Sequence, residues 1–166
     1  TVTYLLEQIL KAAGIDVGVI GTINTRFAGT VFANPVTTPE SVDLQGIFRQ
    51  MRDSGVTHVV MEVSSHALEM QRVAGLAFEV AGFTNLTQDH LDFHTDLAEY
   101  RDAKGRILDL LKPDGRVVVN RDDPAWISLP CPAEGTVGFA IQDGGAGSLG
   151  AGQGRGAGVD LLARDL

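Results

Sequence analysis

Apolar and polar positions along the chain follow two periods in turn. Val2, Leu5, Leu6, Ile9, Leu10 and Ala13 recur at helical spacing, Glu7 and Lys11 stand four residues apart as a favourable pair, and Gly14 sits where helices commonly end. A first helix is therefore predicted from residue 1 or 2 to about residue 13. Beyond it, short apolar runs predict strands over 17–21, 58–63, 78–84 and 116–119, the last closing on Asn120. Amphipathic stretches predict helices over 39–54 and 96–111, with a short turn at 67–72, and the run Lys112, Pro113, Asp114, Gly115 stops the last helix. Strands alternating with helices predict an α/β fold, a mostly parallel sheet flanked by helices.

Two stretches break the alternation. Residues 22–39 carry Thr, Asn, Gly and Pro throughout; a connection of that length inside a compact domain is usually functional or carries a small hairpin. In residues 143–158, eight of sixteen positions are glycine and one is a large hydrophobe, Leu149, which predicts a flexible surface loop. An apolar run resumes at 159–163. A helix that begins at the first residues without a cap or a preceding strand suggests a fragment cut inside a strand-loop-helix unit. The expectation is one domain over residues 1–166, truncated at both ends.

Composition narrows the classes. A length of 166 residues suits one domain, which buries roughly 70% of its unfolded surface without covalent staples. Cys131 is the only cysteine, so an intrachain disulfide framework is excluded, and a reducing, cytoplasmic setting is expected. With 13 Lys+Arg against 21 Asp+Glu the formal charge is −8 and no basic block occurs, so nucleic acid is not an expected partner. The apolar runs are too short to span a membrane, and the opening residues carry no basic n-region of a signal peptide.

Candidate chemistry clusters behind the predicted strands. Glu62 ends the run Val59, Val60, Met61, and ligands bind outside the carboxyl ends of strands in open parallel sheets. A carboxylate there suits a magnesium ion, or simply reaches solvent. Beyond the next strand, Asp89, His90, Asp92 and His94 could bind a metal or cap turns. Lys104 falls on the apolar stripe of its helix, four residues after Tyr100 and three before Ile107. Desolvation there disfavours the ammonium and frees a neutral amine for carbamylation or Schiff-base chemistry; the alternative is a stem that packs while the charge reaches water. Thr38 is a candidate N-cap with Pro39 at the first helical position, and the same helix end can receive an anion. Ser64, Ser65 and His66 invite a hydrolase reading, which adjacency in the chain argues against.

The stretches TVTYLLEQILKAAG, TTPE, MEVSSHALEMQRV, FTNLTQDHLDFH, YRDAK and VVVNRDDP together resemble the central domain of the Mur ligases, a P-loop NTPase-like fold, from residue 1 to about Pro124. The closest branch is the UDP-N-acetylmuramoyl tripeptide synthetases of peptidoglycan assembly. The resemblance implies ATP and Mg2+ as cofactors, and a reaction in which a carboxylate of UDP-MurNAc-L-Ala-D-Glu is phosphorylated and the acyl phosphate is attacked by the amine of a diamino acid, diaminopimelate or lysine. By motif position it implies Glu62 and His90 as magnesium ligands and Lys104 as a carbamylated lysine that helps hold a second magnesium. Thr37, Thr38, Ser64 and Arg72 match contacts to the UDP-muramyl peptide, where an arginine fork suits phosphate or carboxylate. Asn120 matches an adenine-nucleotide contact. Of the family's phosphate loop, G-x-x-G-K-T-T, only the last threonine is present, as Thr1. The chain by itself is therefore expected to lack ligase turnover. The implied protein is a cytoplasmic monomer. Other readings are a folylpolyglutamate synthase-like ligase, a phosphohydrolase built on residues 89–94, and a non-catalytic nucleotide-binding remnant.

Overall fold

The structure is a computed structural model that describes residues 2–86 and 94–141 and the backbone of 162–164. Helix α1 (Val2–Ala12) leads into β1 (Val17–Ile20), followed by β2 (Asn24–Phe27), β3 (Thr30–Ala33), α2 (Ser41–Asp53), β4 (His58–Met61) and the short α3 (Ser65–Glu69). Then come β5 (Phe78–Phe83), α4 (Leu97–Gly105), a 3₁₀ turn (Arg106–Leu110), β6 (Leu111–Asn120), a second turn (Pro124–Trp126), β7 (Thr136–Phe139) and β8 (Leu162–Arg164). One sheet runs in the order β3-β2-β1-β4-β8-β5-β6-β7.

The ladders β1/β4, β5/β6 and β6/β7 are parallel, as the alternation of strands and helices predicts. The long connection after β1 folds as an antiparallel hairpin, β2/β3, that extends the sheet edge. Between β4 and β5 lies β8, antiparallel to both. The predicted strands at 17–21, 58–63 and 78–84 match β1, β4 and β5 to within two residues at each end.

Strand β1 is buried along its whole length because helices cover both faces. Val17, Val19 and Val60 meet Leu6 and Leu10 of α1 on one side. Ile20, Val59 and Met61 join Leu44, Phe48 and Met51 of α2 on the other. Gly18 allows that approach: a Cβ there would lie 2.6 Å from the sulfur of Met51, which is fully buried.

Three expectations change. Helix α1 buries Thr3 and Glu7 while Leu5 and Ile9 are exposed, so its inner face is rotated from the predicted stripe. The cause is an ion-pair network: Glu7 accepts from Arg26 Nε and Lys11 Nζ, each at 2.7 Å, which lets a carboxylate sit inside. Helix α2 starts at Ser41 with Glu40 at the cap position, not with Thr38, whose hydroxyl is engaged elsewhere. The predicted helix 96–111 ends at Gly105 and tightens into a 3₁₀ turn, and Leu111 already pairs with Phe78. Residues 112–115 then form an irregularity in β6, after which the ladder resumes at Val80↔Arg116.

Candidate functional site

The carboxyl ends of β1, β4 and β5 open into one cavity of about 260 Å³, closed on its far side by α4 and Trp126. Its lining includes Thr22, Thr37, Glu62, Ser64, Thr84, Asn85 and Lys104. Glu62 and Lys104, distant in sequence, therefore face the same space. Glu62 arrives there because β4 runs parallel to β1 and ends one residue before it; the Glu62 N–H donates to the Ile20 carbonyl at 2.9 Å.

The Glu62 carboxylate is held on both oxygens. Oε2 accepts from the Thr22 N–H at 2.9 Å and from the Thr22 hydroxyl at 2.6 Å, and Oε1 accepts from the Thr3 hydroxyl at 3.3 Å. Gly21 makes room, since a Cβ there would stand 3.1–3.2 Å from the carboxylate atoms. Carboxylate and hydroxyl oxygens with no thiolate suit a hard divalent cation rather than a soft one. Among the described residues no cluster of three or more His, Cys, Asp or Glu side chains is placed to hold a metal, and Glu62 is the one carboxylate among them that lines this cavity.

Lys104 lies near the end of α4, half-buried, with its ammonium nitrogen 4.9 Å from the centre of the Tyr100 ring. Tyr100 is itself fixed by stacking on His94. His94 is only 2% exposed and its Nε2 lies 2.8 Å from the Ser65 hydroxyl. It joins α4 to α3 and is not among the described residues that line the cavity. Thr1 and His90, like Asp89 and Asp92, lie outside the described residues, and so does the Gly-rich stretch 143–158.

The expected substrate contacts divide. Thr37 and Ser64 line the cavity, and the Ser64 hydroxyl also caps α3 by accepting from Ala67 N–H at 3.1 Å. Thr38 is buried at 1% exposure; its hydroxyl donates to the Glu62 carbonyl at 3.0 Å and accepts from Ser64 N–H at 3.1 Å. It clamps the end of β4 to the chain entering α2. Arg72 donates to the Thr38 carbonyl at 3.1 Å and pairs with Glu40 at 2.6 Å. Its Nε is buried without a hydrogen-bond partner among the described residues. Asn120 ends β6, buried, with its side-chain oxygen accepting from Asp122 N–H at 3.0 Å.

Sequence reasoning did not find Thr22, Thr3 or Asp123. Asp123 accepts from Leu86 N–H at 2.6 Å and from Ala125 N–H at 3.0 Å, while Trp126 donates to the Thr84 carbonyl at 3.3 Å. Together they pin the backbone that leaves β5 for residues 87–93. The motif VVVNRDDP carried a signal for Asp123, an acid one residue before a proline at the start of a turn, where capping is common.

The chain is 60% identical over 104 residues to the UDP-N-acetylmuramoyl-L-alanyl-D-glutamate--2,6-diaminopimelate ligase of Corynebacterium glutamicum, covering 63% of this chain and 20% of that protein. It is 51% identical over 139 residues to the enzyme of the same name from Geobacter metallireducens, covering 80% and 27%. A solved structure described as UDP-N-acetylmuramoyl-L-alanyl-D-glutamate--2,6-diaminopimelate ligase superposes with a TM-score of 0.73 at 28% identity, over 88% of this chain and 30% of that one. The chain thus spans about a quarter of the length of the curated relatives that it matches. Residues 1–145 match the family described as Mur ligase middle domain, and on that match the chain belongs to this family.

Proposed function

We propose that this chain is the central ATP-binding domain of a ligase that adds diaminopimelate to UDP-MurNAc-L-Ala-D-Glu in peptidoglycan synthesis, working in the cytoplasm as a monomer. The domain then spans residues 1–166, with further segments of the ligase on either side. The observation that carries the reading is the meeting of Glu62 and Lys104 in one cavity at the carboxyl ends of parallel strands. The relatives' names supply the substrates. Among the described residues no helix is long and apolar enough to cross a membrane, in keeping with soluble substrates.

In this reading the γ-phosphoryl group of ATP passes to a carboxylate of the muramyl dipeptide and ADP leaves. The amine of diaminopimelate then attacks the acyl carbon, forming the amide and releasing phosphate and a proton. Glu62, with His90, would hold magnesium, which would supply positive charge to offset that of the phosphates. The Lys104 amine, when neutral, adds to carbon dioxide with loss of a proton, and the carbamate presents oxygen where an ammonium would repel the cation. Thr37 and Ser64 line the cavity on the side given to the dipeptide, Thr38 and Arg72 hold the backbone behind them, and Thr1 and Asn120 are assigned to the nucleotide.

Lys104→Ala in the whole ligase tests this. Ligase turnover is expected to fall by about a hundredfold or more, the scale of one lost electrostatic stabiliser, with part of it returned by added formate or acetate. Unimpaired turnover in that variant removes the assignment.

A further inference from the structure

We propose that Thr22 is a positioning residue that links the Glu62 carboxylate to the cavity-facing hydroxyl of Thr37, a role that rests on the reading of Glu62 as a cation ligand. The Thr22 hydroxyl lies 2.6 Å from Glu62 Oε2, to which it donates, and 3.1 Å from the Thr37 hydroxyl. A hydroxyl carries one proton. Since that proton goes to the carboxylate, the contact with Thr37 is made with Thr37 as donor. The chain of donation therefore runs one way, from Thr37 to Thr22 to Glu62.

Two consequences follow from this direction. Oε2 receives both the N–H and the hydroxyl of Thr22, whereas among the described residues Oε1 has only the longer contact to Thr3, so Oε1 is the oxygen that would be open to a cation. Thr37, its proton already committed, offers only lone pairs to the cavity. The ligand group that it meets is then an N–H or O–H donor, such as a peptide amide or a sugar hydroxyl, and not a phosphate or carboxylate oxygen.

The linkage is built on a rigid base. The Gly21 N–H donates to the Asn24 carbonyl at 3.2 Å, and the Gly21 carbonyl accepts from the Asn34 side chain at 2.9 Å. Asn34 is in turn held by the Thr25 hydroxyl at 2.8 Å. The hairpin β2/β3 thus fixes Gly21, the residue immediately before Thr22. A ligand donor arriving at Thr37 strengthens each donation further along the chain, because linked hydrogen bonds polarise one another.

The test titrates Mn2+ into the whole ligase, following free Mn2+ by electron paramagnetic resonance, with and without UDP-MurNAc-L-Ala-D-Glu. Thr22→Val is expected to weaken Mn2+ binding about tenfold, the lower end of what outer-shell partners of a metal ligand contribute, and Thr22→Ser to restore it. The dipeptide is expected to tighten Mn2+ about fivefold in the wild type, and this coupling to vanish in both Thr22→Val and Thr37→Val. Weakened Mn2+ binding in Glu62→Gln alongside wild-type binding and coupling in Thr22→Val overturns the linkage alone. Wild-type Mn2+ binding in Glu62→Gln overturns the cation reading and the linkage with it. Should Thr22→Val melt early, Thr37→Val decides, because it removes the donor without touching Glu62: coupling that persists there overturns the proposal.

Discussion

Glu7 illustrates how one residue can invert the reading of an element. Its carboxyl is pushed up by burial, but hydrogen bonds from Lys11 and Arg26 and the charge of both cations outweigh this and hold it below its ordinary value of 4.5. Arg26 is locked in turn by Asn24 at 2.8 Å and by stacking 3.6 Å above the Tyr4 ring. A carboxyl with a folded-state pKa below its unfolded one stabilises the fold above the unfolded value, and that contribution fades as pH falls through the folded value. Glu7→Gln is accordingly expected to cost about 2 kcal/mol at neutral pH, with the gap to wild type closing as pH drops below 4.5. Urea midpoints measured from pH 7 down to pH 3 check this; a gap that stays constant across that range contradicts it. The same residue explains why the apolar spacing of α1 misplaced its inner face. Spacing registers Leu5 and Ile9, but only the fold brings Arg26 of β2 over Glu7.

At the scale of elements, contact between α2 and β1 depends on the absence of a side chain at Gly18. Gly18→Ala places a methyl 2.6 Å from the Met51 sulfur in a fully buried setting, so either α2 moves or Met51 leaves its rotamer. Overpacking of this kind costs about 1–3 kcal/mol, and calorimetry should register it as a fall in Tm of a few degrees; an unchanged Tm would mean that α2 floats on the sheet. The element boundaries were legible where burial on both faces made continuous apolar runs, as in β1 and β4. They were less legible where local signals compete. Thr38 and Pro39 carry the composition of a helix start, yet the Thr38 hydroxyl is drawn to the end of β4, and α2 begins later. Likewise β3, exposed at all four positions, and β7, half-buried or exposed throughout, are short strands, and neither has a period that stands out from a loop.

For the whole molecule, the two parallel halves of the sheet meet through β8. On that side β5 pairs with β8 at one position among the described residues, Val80↔Leu162, whereas β1 pairs with β4 at all four of its positions and with β2 at Val19 and Ile20. Alternate amides of a strand point to opposite neighbours, so hydrogen exchange in the peptide 78–83 is expected to be biphasic. The amides bonded to β6 should be slow and those facing β8 fast, while Val19 and Ile20, paired on both sides, are both slow. Uniformly slow exchange over 78–83 would show that the centre of the sheet is closed. The sequence by itself determined the class of fold, the strands that carry the site, and the presence of Glu62 and Lys104 behind strand and helix, because burial leaves a periodic trace in the chain. Only the tertiary structure decided which hydroxyls aim the carboxylate, that His94 is a packing residue, and which way α1 faces. Those outcomes depend on partners tens of residues apart, Thr22 with Glu62 or Arg26 with Glu7, and no local period records a contact made across the sheet.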